Sequence, residues 1–416
     1  MLFTSLLLHL VAGYEESESE ALSANPIIYV ELDNYRNEYY TGSIFIGSPS
    51  QKFNVIFDVG SSYIWLPGPN CEGIPSDAPV YDSEASTSFR DLNISTNYNY
   101  LSKYVSGVVA TEDMAIGDVG KVVAKTQAFM VVDLANGFSD MKADGIVGLG
   151  IQSNDPNHKT LIETLFEQEL IRNNVFSLFL NNNHFEKDDK RKPKSMLMIG
   201  NYDLDKYSDG SDVHTYPLIN NTGLWSIKLE SITCKDTEID IESSYAVLDS
   251  RSPKIVGPKS SVKKLFDRFE AMYGCGYYYS RMVCDCSEIY SIVKFPHITF
   301  NIGGDDYVFH DKHYFKKTSK TCYLLFESAD IDYWILGQPF LREYYSIYHI
   351  NGTDSKVQLV SSAASRFTTD ADSNWWIIPV VLIIGGAIWL FSWLGWTYYK
   401  KYSQDSKLLV EQEARG

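Results

Sequence analysis

Two short segments limit what this chain can fold into more than anything else in its sequence. Phe57-Asp58-Val59-Gly60-Ser61-Ser62 and Leu248-Asp249-Ser250-Arg251-Ser252 each set one acid at the end of an apolar run, Asn54-Val55-Ile56-Phe57 in the first and Tyr245-Ala246-Val247-Leu248 in the second. Each acid is followed by a turn of mostly small or hydroxyl-bearing residues, the exceptions being Val59 and Arg251. Each turn is followed at nearly the same distance by an apolar pair ending in glycine. Ile146-Val147-Gly148 ends 90 residues after Asp58, and Ile335-Leu336-Gly337 ends 88 residues after Asp249. Matched spacing of this kind is the mark of an internal duplication, and two matched lobes can bring two carboxylates face to face.

The 416 residues suffice for two such lobes. At 44% apolar and 14% aromatic, with 29 Tyr, the composition is that of a folded, β-rich protein. Strand-like runs cover Ile27 to Leu32, Tyr39 to Ile46, Phe53 to Phe57, Val105 to Ala110 and Val122 to Val132, punctuated by Gly, Asn, Asp and Ser. Helical spacing is confined to short stretches such as Leu161 to Phe166 and Val262 to Met272. A net charge of −17 argues against nucleic acid as a partner, because phosphate neutralisation needs clustered Lys and Arg. It suits a protein that meets acidic pH, where protonation relieves self-repulsion.

Both ends read as membrane traffic. Residues 1–13 resemble a secretory signal without the usual cationic start, and 14–25 form an acidic leader. From Trp375 to Tyr399 the chain carries no charge, and at ~1.5 Å per residue this helix would span a bilayer with some tilt. Trp375 and Trp376 lie at one rim and Trp396, Tyr398 and Tyr399 at the other; Lys400 and Lys401 follow, which orients 400–416 to the cytosol. The sequence thus divides into lobes at 26–213 and 214–363, a linker at 364–374, and a single-pass type I anchor at 375–399. The lobes would lie in the lumen of the secretory pathway or an endolysosomal or vacuolar compartment, or outside the cell. There, Cys275–Cys284 and Cys286–Cys322 are the expected disulfides, with Cys71 and Cys234 left over. The sequons at Asn93, Asn220 and Asn351 agree with that placement. The charged stretch from Asn181 to Ser195 is expected as a surface loop. A monomer is expected.

Two carboxylates a few Å apart resist double ionisation, so the pair shares a proton. The ionised member can then deprotonate a water while the protonated one polarises a peptide carbonyl. This chemistry needs no metal and no cofactor. Other chemistries fail on spacing. The sequence has no Gly-x-Ser-x-Gly elbow, no His-Glu-x-x-His and no glycine-rich phosphate loop, and Cys284-Asp285-Cys286 lacks partners at zinc spacing.

Over residues 26 to 363 the chain resembles the pepsin-like aspartic endopeptidases, whose two lobes each carry one Asp-Thr/Ser-Gly motif. The resemblance rests on Tyr39-Tyr40-Thr41-Gly42-Ser43-Ile44-Phe45-Ile46-Gly47-Ser48-Pro49-Ser50-Gln51, Phe57-Asp58-Val59-Gly60-Ser61-Ser62-Tyr63-Ile64-Trp65, Ala143-Asp144-Gly145-Ile146-Val147-Gly148-Leu149-Gly150 and Trp334-Ile335-Leu336-Gly337-Gln338-Pro339-Phe340-Leu341-Arg342. It implies a mainly β, bilobal fold with a central cleft, and Asp58 and Asp249 as the catalytic dyad. It further implies Gly60, Ser61, Ser250 and Ser252 as dyad support, with the Ser61 and Ser252 hydroxyls on the outer carboxylate oxygens. Tyr100 becomes the tyrosine of a flap that includes Ser102, with Gly107 further along the hairpin, and Trp65 the indole that supports it. Without that resemblance, Tyr100 and Trp65 would read as ordinary strand aromatics.

The pattern breaks in four places. Val59 replaces a hydroxyl residue that helps lock the two acid loops together. Tyr100-Leu101-Ser102-Lys103 lacks the two flap glycines. Between the signal and the first strand there is only a short acidic leader, where the family has a basic propeptide. Arg251 stands where the first motif has Gly60. If its side chain enters the cleft, it fills substrate space; at ~5 Å and an effective dielectric of ~20 it attracts each carboxylate by about 3 kcal/mol, which pulls the dyad's pKa down and removes the shared proton. The readings are therefore a membrane-anchored endopeptidase, a pseudoprotease that binds extended peptides or an acidic group through Arg251, and a structural surface glycoprotein.

Overall fold

The computed structural model describes residues 27–117, 122–151, 159–181, 193–219, 223–279, 281–286, 295–318, 320–364 and 389–401. The signal, the leader, Asn220, most of the charged 181–195 loop and the tail beyond 401 lie outside them. The described residues from 27 to 364 form one compact, mainly β unit.

Among the described residues, thirteen strands form the largest sheet. Its alternation is that of sheets with one face packed on a core: in Ile28–Tyr35 the side chains of Ile28, Val30 and Leu32 are buried while Tyr29, Glu31 and Asp33 face out. The second half of the chain builds an eight-stranded sheet that includes Ser226–Cys234, Tyr245–Leu248, Ile255–Pro258 and Trp334–Leu336. The last two strands, Tyr344–His349 and Lys356–Ser361, leave that sheet. They join the first half's sheet where Ser346 pairs with Leu178 of Val175–Phe179. The two halves are thereby stitched by backbone hydrogen bonds.

The duplicated spacing is a strand register. Gln51–Asp58 runs parallel to Gly145–Gly148 with Asp58 opposite Gly148, and Tyr245–Leu248 runs parallel to Trp334–Leu336 with Leu248 opposite Leu336. Each glycine then passes against the turn that follows the acid. A Cβ on Gly148 would stand 2.5 Å from the carbonyl carbon of Ser62, and one on Gly337 would stand 2.1 Å from the carbonyl oxygen of Lys254. Ile335-Leu336-Gly337 is thus fixed by backbone contact, as Ile146-Val147-Gly148 is.

Helices are few, and the two expected from spacing are present. Leu161–Glu167 opens on a capping box made by Thr160 and Glu163, and Lys259–Tyr273 ends at Gly274 in the left-handed region. A small four-stranded sheet carries both expected disulfides, Cys275–Cys284 and Cys286–Cys322, while Cys71 and Cys234 are free thiols. Asn93 and Asn351 are exposed.

Residues 389–401 belong to a separate unit and are helical, with Trp389, Phe391, Trp393 and Trp396 exposed. Among the described residues no helix is long and apolar enough to cross a membrane. The expected span at 375–399 overlaps the described residues only from 389 onward.

Gly337→Ala should lower stability by about 2–3 kcal/mol, because the added carbon meets backbone that cannot move aside. Gly276→Ala, where an added Cβ meets nothing within 4 Å, should stay within about 0.5 kcal/mol of the parent. Urea denaturation of the two variants checks the contrast, and equal midpoints would refute it.

Candidate active site

Asp58 and Asp249 end matching strands and meet at the centre of the compact unit, 0% and 5% exposed. The turns behind them supply donors. Gly60 N–H donates to Asp58 Oδ1 at 2.8 Å and the Ser61 hydroxyl donates to Asp58 Oδ2 at 2.7 Å. The backbone N–H groups of Arg251 and Ser252 donate to Asp249 Oδ1 at 2.7 and 2.9 Å. Gly60 is pressed against the opposite acid: a Cβ there would lie 2.6 Å from Asp249 Cγ.

The turns are bonded to each other through Ser250. Its hydroxyl donates to the Phe57 carbonyl at 2.7 Å and accepts from Val59 N–H at 3.0 Å. Val59 is fully buried and has no hydroxyl to reciprocate, so the lock is one-sided. Gln338, also fully buried, adds a second tie, donating from Nε2 to the Ser250 carbonyl at 2.9 Å and to the Glu38 carbonyl at 3.1 Å. The sequence placed Gln338 in a motif without showing this role.

One expected contact is not made. The Ser252 hydroxyl donates to the Lys254 carbonyl at 2.8 Å, not to Asp249. The turn with Pro253 brings that carbonyl within reach, and the Ser252 backbone N–H serves the carboxylate instead. Asp58 and Asp249 are therefore held unequally.

The hairpin formed by Arg90–Tyr100 and Lys103–Ile116 brings the Tyr100 ring onto Arg251, which in turn contacts both acids. Tyr100, 5% exposed, accepts a 3.0 Å hydrogen bond from Trp65 Nε1 at its hydroxyl, and Phe138 packs edge-on against both rings. Ser102 stands exposed at the tip beside Leu101, whose φ of 47° lies in the region that favours glycine. Gly107, further along, passes so close to the neighbouring strand that a Cβ would stand 2.0 Å from the Val131 carbonyl oxygen.

Arg251 enters the cleft. Its Nε lies 3.3 Å from Asp58 Oδ2, its Nη2 lies 3.7 Å from Asp249 Oδ2, and its Cζ sits 4.8 Å from the centre of the Tyr100 ring. The guanidinium thus fills the space between the flap and the dyad. The steric expectation holds, but the electrostatic one is corrected. Asp58 is pushed up to about 6: burial raises it most, the Asp249 carboxylate adds to this, and Arg251 with the Ser61 and Gly60 bonds pulls it only part of the way back. Desolvation of a fully buried carboxyl outweighs a cation 3 Å away. For Arg251 itself, burial opposes the charge, but Asp249, Asp58 and Tyr100 together raise it further above its ordinary value.

These strands and turns match the profile of the eukaryotic aspartyl protease family over residues 39–361. The chain belongs to that family. It is 28% identical to pepsin A of Sus scrofa over 76% of this chain and 80% of that protein. It is also 28% identical to cathepsin D of Rattus norvegicus, over 76% and 79%, and 27% identical to vacuolar protease A of Arthroderma otae, over 81% of each. The fold is the family's mainly β, bilobal one, and the two disulfides accord with passage through the secretory pathway.

A cavity of about 1070 Å³ opens beside the dyad, lined among others by Tyr39, Ile56, Phe138, Met141 and Arg251. Arg251, not the carboxylates, forms its wall there. Among the described residues no cluster of three His, Cys, Asp or Glu is arranged to hold a metal ion.

Two outcomes follow. Arg251→Met removes a charge that lowers Asp58, so Asp58 should titrate above about 6 in a carboxyl-carbon NMR titration; an unchanged or lower midpoint would contradict the assignment. The second concerns stability. Asp58 binds its proton more tightly folded, at about 6, than at the ordinary 3.8. Its contribution is therefore complete below about pH 4 and lost as pH rises through about 6. The melting-temperature advantage of Asp58→Asn over the parent should widen across that window, and a constant gap would count against it.

Proposed function

We propose that this chain is a membrane-anchored, lumenal or extracellular aspartic endopeptidase in which Arg251 closes the dyad in the resting state. One observation carries the reading: both buried carboxylates are kept in place by bonds from their own turns, Asp58 by Gly60 and Ser61 and Asp249 by the Arg251 and Ser252 N–H groups, although a guanidinium lies on them; burial and the Asp249 carboxylate hold Asp58 up at about 6. Family membership supports peptide-bond hydrolysis as the chemistry. The anchor is supported by the uncharged run from Trp375 to Tyr399 and by Lys400 and Lys401 after it. Asn93 and Asn351, exposed and within sequons, are candidate glycan sites on the same side.

In this reading an extended peptide enters beneath the Tyr100 hairpin and displaces Arg251 toward the cavity. A water then lies between the acids. Asp58 carries the shared proton below about pH 6 and donates to the scissile carbonyl, while Asp249 accepts a proton from the water as its oxygen attacks. The tetrahedral species collapses as the leaving nitrogen takes up a proton from the dyad. Ser250 and Gln338 hold the two turns in register during these transfers. One chain carries both acids of the dyad, so a monomer suffices for the chemistry.

A second reading has a specific observation behind it. The contacts of Arg251 with Asp58, Asp249 and the Tyr100 ring favour a pseudoprotease that holds a peptide without cutting it.

Cleavage of a mixed peptide library across pH 3–7 separates the two. The parent should cut with an acidic optimum, Asp58→Asn should abolish cutting, and Arg251→Gly should raise the rate at least tenfold. No cleavage by folded parent or by Arg251→Gly at any pH would establish the pseudoprotease.

A further inference from the structure

The chain carries a net charge of −17, yet its cleft is basic. Nine Lys and Arg side chains line the cavity beside Arg251's turn, that arginine included, against two acids, Glu38 and Glu327. Both acids are already engaged, Glu38 by Lys316 and Glu327 by Lys254. Arg36, Lys103 and Arg281 have no carboxylate partner among the described residues. Arg36 lies 5.3 Å from the Tyr35 ring centre, Lys103 lies 5.1 Å from that of Phe138, and Arg281 is exposed on the Arg281–Asp285 strand. Three cations gathered on one cavity wall without a carboxylate of their own repel one another, which opposes folding.

Arg342 supplies an independent observation. It lines the same cavity and is 4% exposed, and its Nη1 has no hydrogen-bond partner among the described residues. A buried guanidinium nitrogen left without an acceptor is costly unless a ligand completes it. Its geometry, a planar fork of donors, matches a carboxylate.

We infer that the cleft selects extended peptides rich in Glu and Asp, whose carboxylates seat among Arg36, Lys103, Arg281 and Arg342. The inference rests on the reading of the cleft as a peptide site and names the class of peptide it takes. The cavity, at about 1070 Å³, is large enough for several residues of such a segment. It also gives Arg251 somewhere to go: an acidic side chain arriving beside the dyad competes with Asp58 and Asp249 for the guanidinium and draws it off. Substrate charge thereby becomes the signal that opens the site.

The test is fluorescence anisotropy with the full chain in detergent at pH 6.5, where Glu side chains are ionised. The probe is a labelled dodecapeptide with Glu at alternate positions in an Ala/Leu/Ser background, compared with its Gln analogue. The Glu peptide should bind at least tenfold more tightly, and the preference should shrink between 50 and 300 mM NaCl. Arg342→Gln should weaken binding of the Glu peptide. Because that buried change can disturb folding, the exposed pair Arg36→Gln/Arg281→Gln serves as the second variant, with an expected loss of tenfold or more. Equal binding of the Glu and Gln peptides, or no loss in the double variant, would overturn the inference. A heparin oligosaccharide that binds while the Glu peptide does not would overturn it too. Cleavage assays on the same peptides keep the two readings apart. Tight binding of the Glu peptide without cleavage by the parent or Arg251→Gly sinks the endopeptidase and keeps the acidic preference; cleavage of the Gln peptide at the same efficiency does the reverse.

Discussion

The structure turns on two buried carboxylates held against one another with a guanidinium laid across them. Each element around Asp58 and Asp249 can be traced to the demands of that contact. Neither acid can be left bare, so the turns behind them present backbone N–H groups from Gly60, Arg251 and Ser252. The turns must not drift, so Ser250 bonds to the opposite turn at both Phe57 and Val59. Strands must pass close behind the turns, so Gly148 and Gly337 lack side chains. The strands Tyr344–His349 and Lys356–Ser361 cross into the first half's sheet and tie the two halves together through backbone hydrogen bonds.

The sequence made the frame legible because the frame is repetitive. A spacing of 90 in one half and 88 in the other is what a parallel strand pair with an acid at its end leaves behind, and the register reproduces it. The pairing of Tyr100 with Trp65 and the bond from Ser61 to Asp58 were legible through family resemblance, since an aromatic or a serine in a strand-rich chain says little alone. Three things were not legible. The direction of the Ser252 hydroxyl depends on where the Lys254 carbonyl falls, a consequence of the turn's path. The tie made by Gln338 joins residues 88 and 300 positions apart, which no local pattern encodes. The basic lining of the cleft is assembled from side chains spread from Arg36 to Arg342, inside a chain whose overall charge points the other way.

The electrostatics of the dyad show why a charge count is a poor guide in a buried site. A cation beside two acids should lower them, and Arg251 does pull Asp58 down. Burial acts on the same carboxyl with the opposite sign, and with Asp249 it wins. The guanidinium therefore leaves Asp58 with a raised affinity for its proton, and it obstructs the site by occupying it. Obstruction and deprotonation differ in what they demand of a substrate. An acid stripped of its proton cannot be restored by a ligand that merely fits, whereas a side chain in the way can be displaced by any ligand that binds it better than the dyad does.

Displacement in turn sets a condition on the rest of the cleft. Arg251 gives up two carboxylates and the face of Tyr100 when it moves, and a desolvated cation moves only toward compensating negative charge. No acid of the cavity wall is at liberty to provide it, because Glu38 and Glu327 are engaged by Lys316 and Lys254. The compensating charge has to arrive with the ligand. A site closed by an arginine and walled by cations is in this way coupled to acidic ligands by the same interaction that keeps it shut, and the side chain that departs from the family pattern becomes the one that connects binding to chemistry.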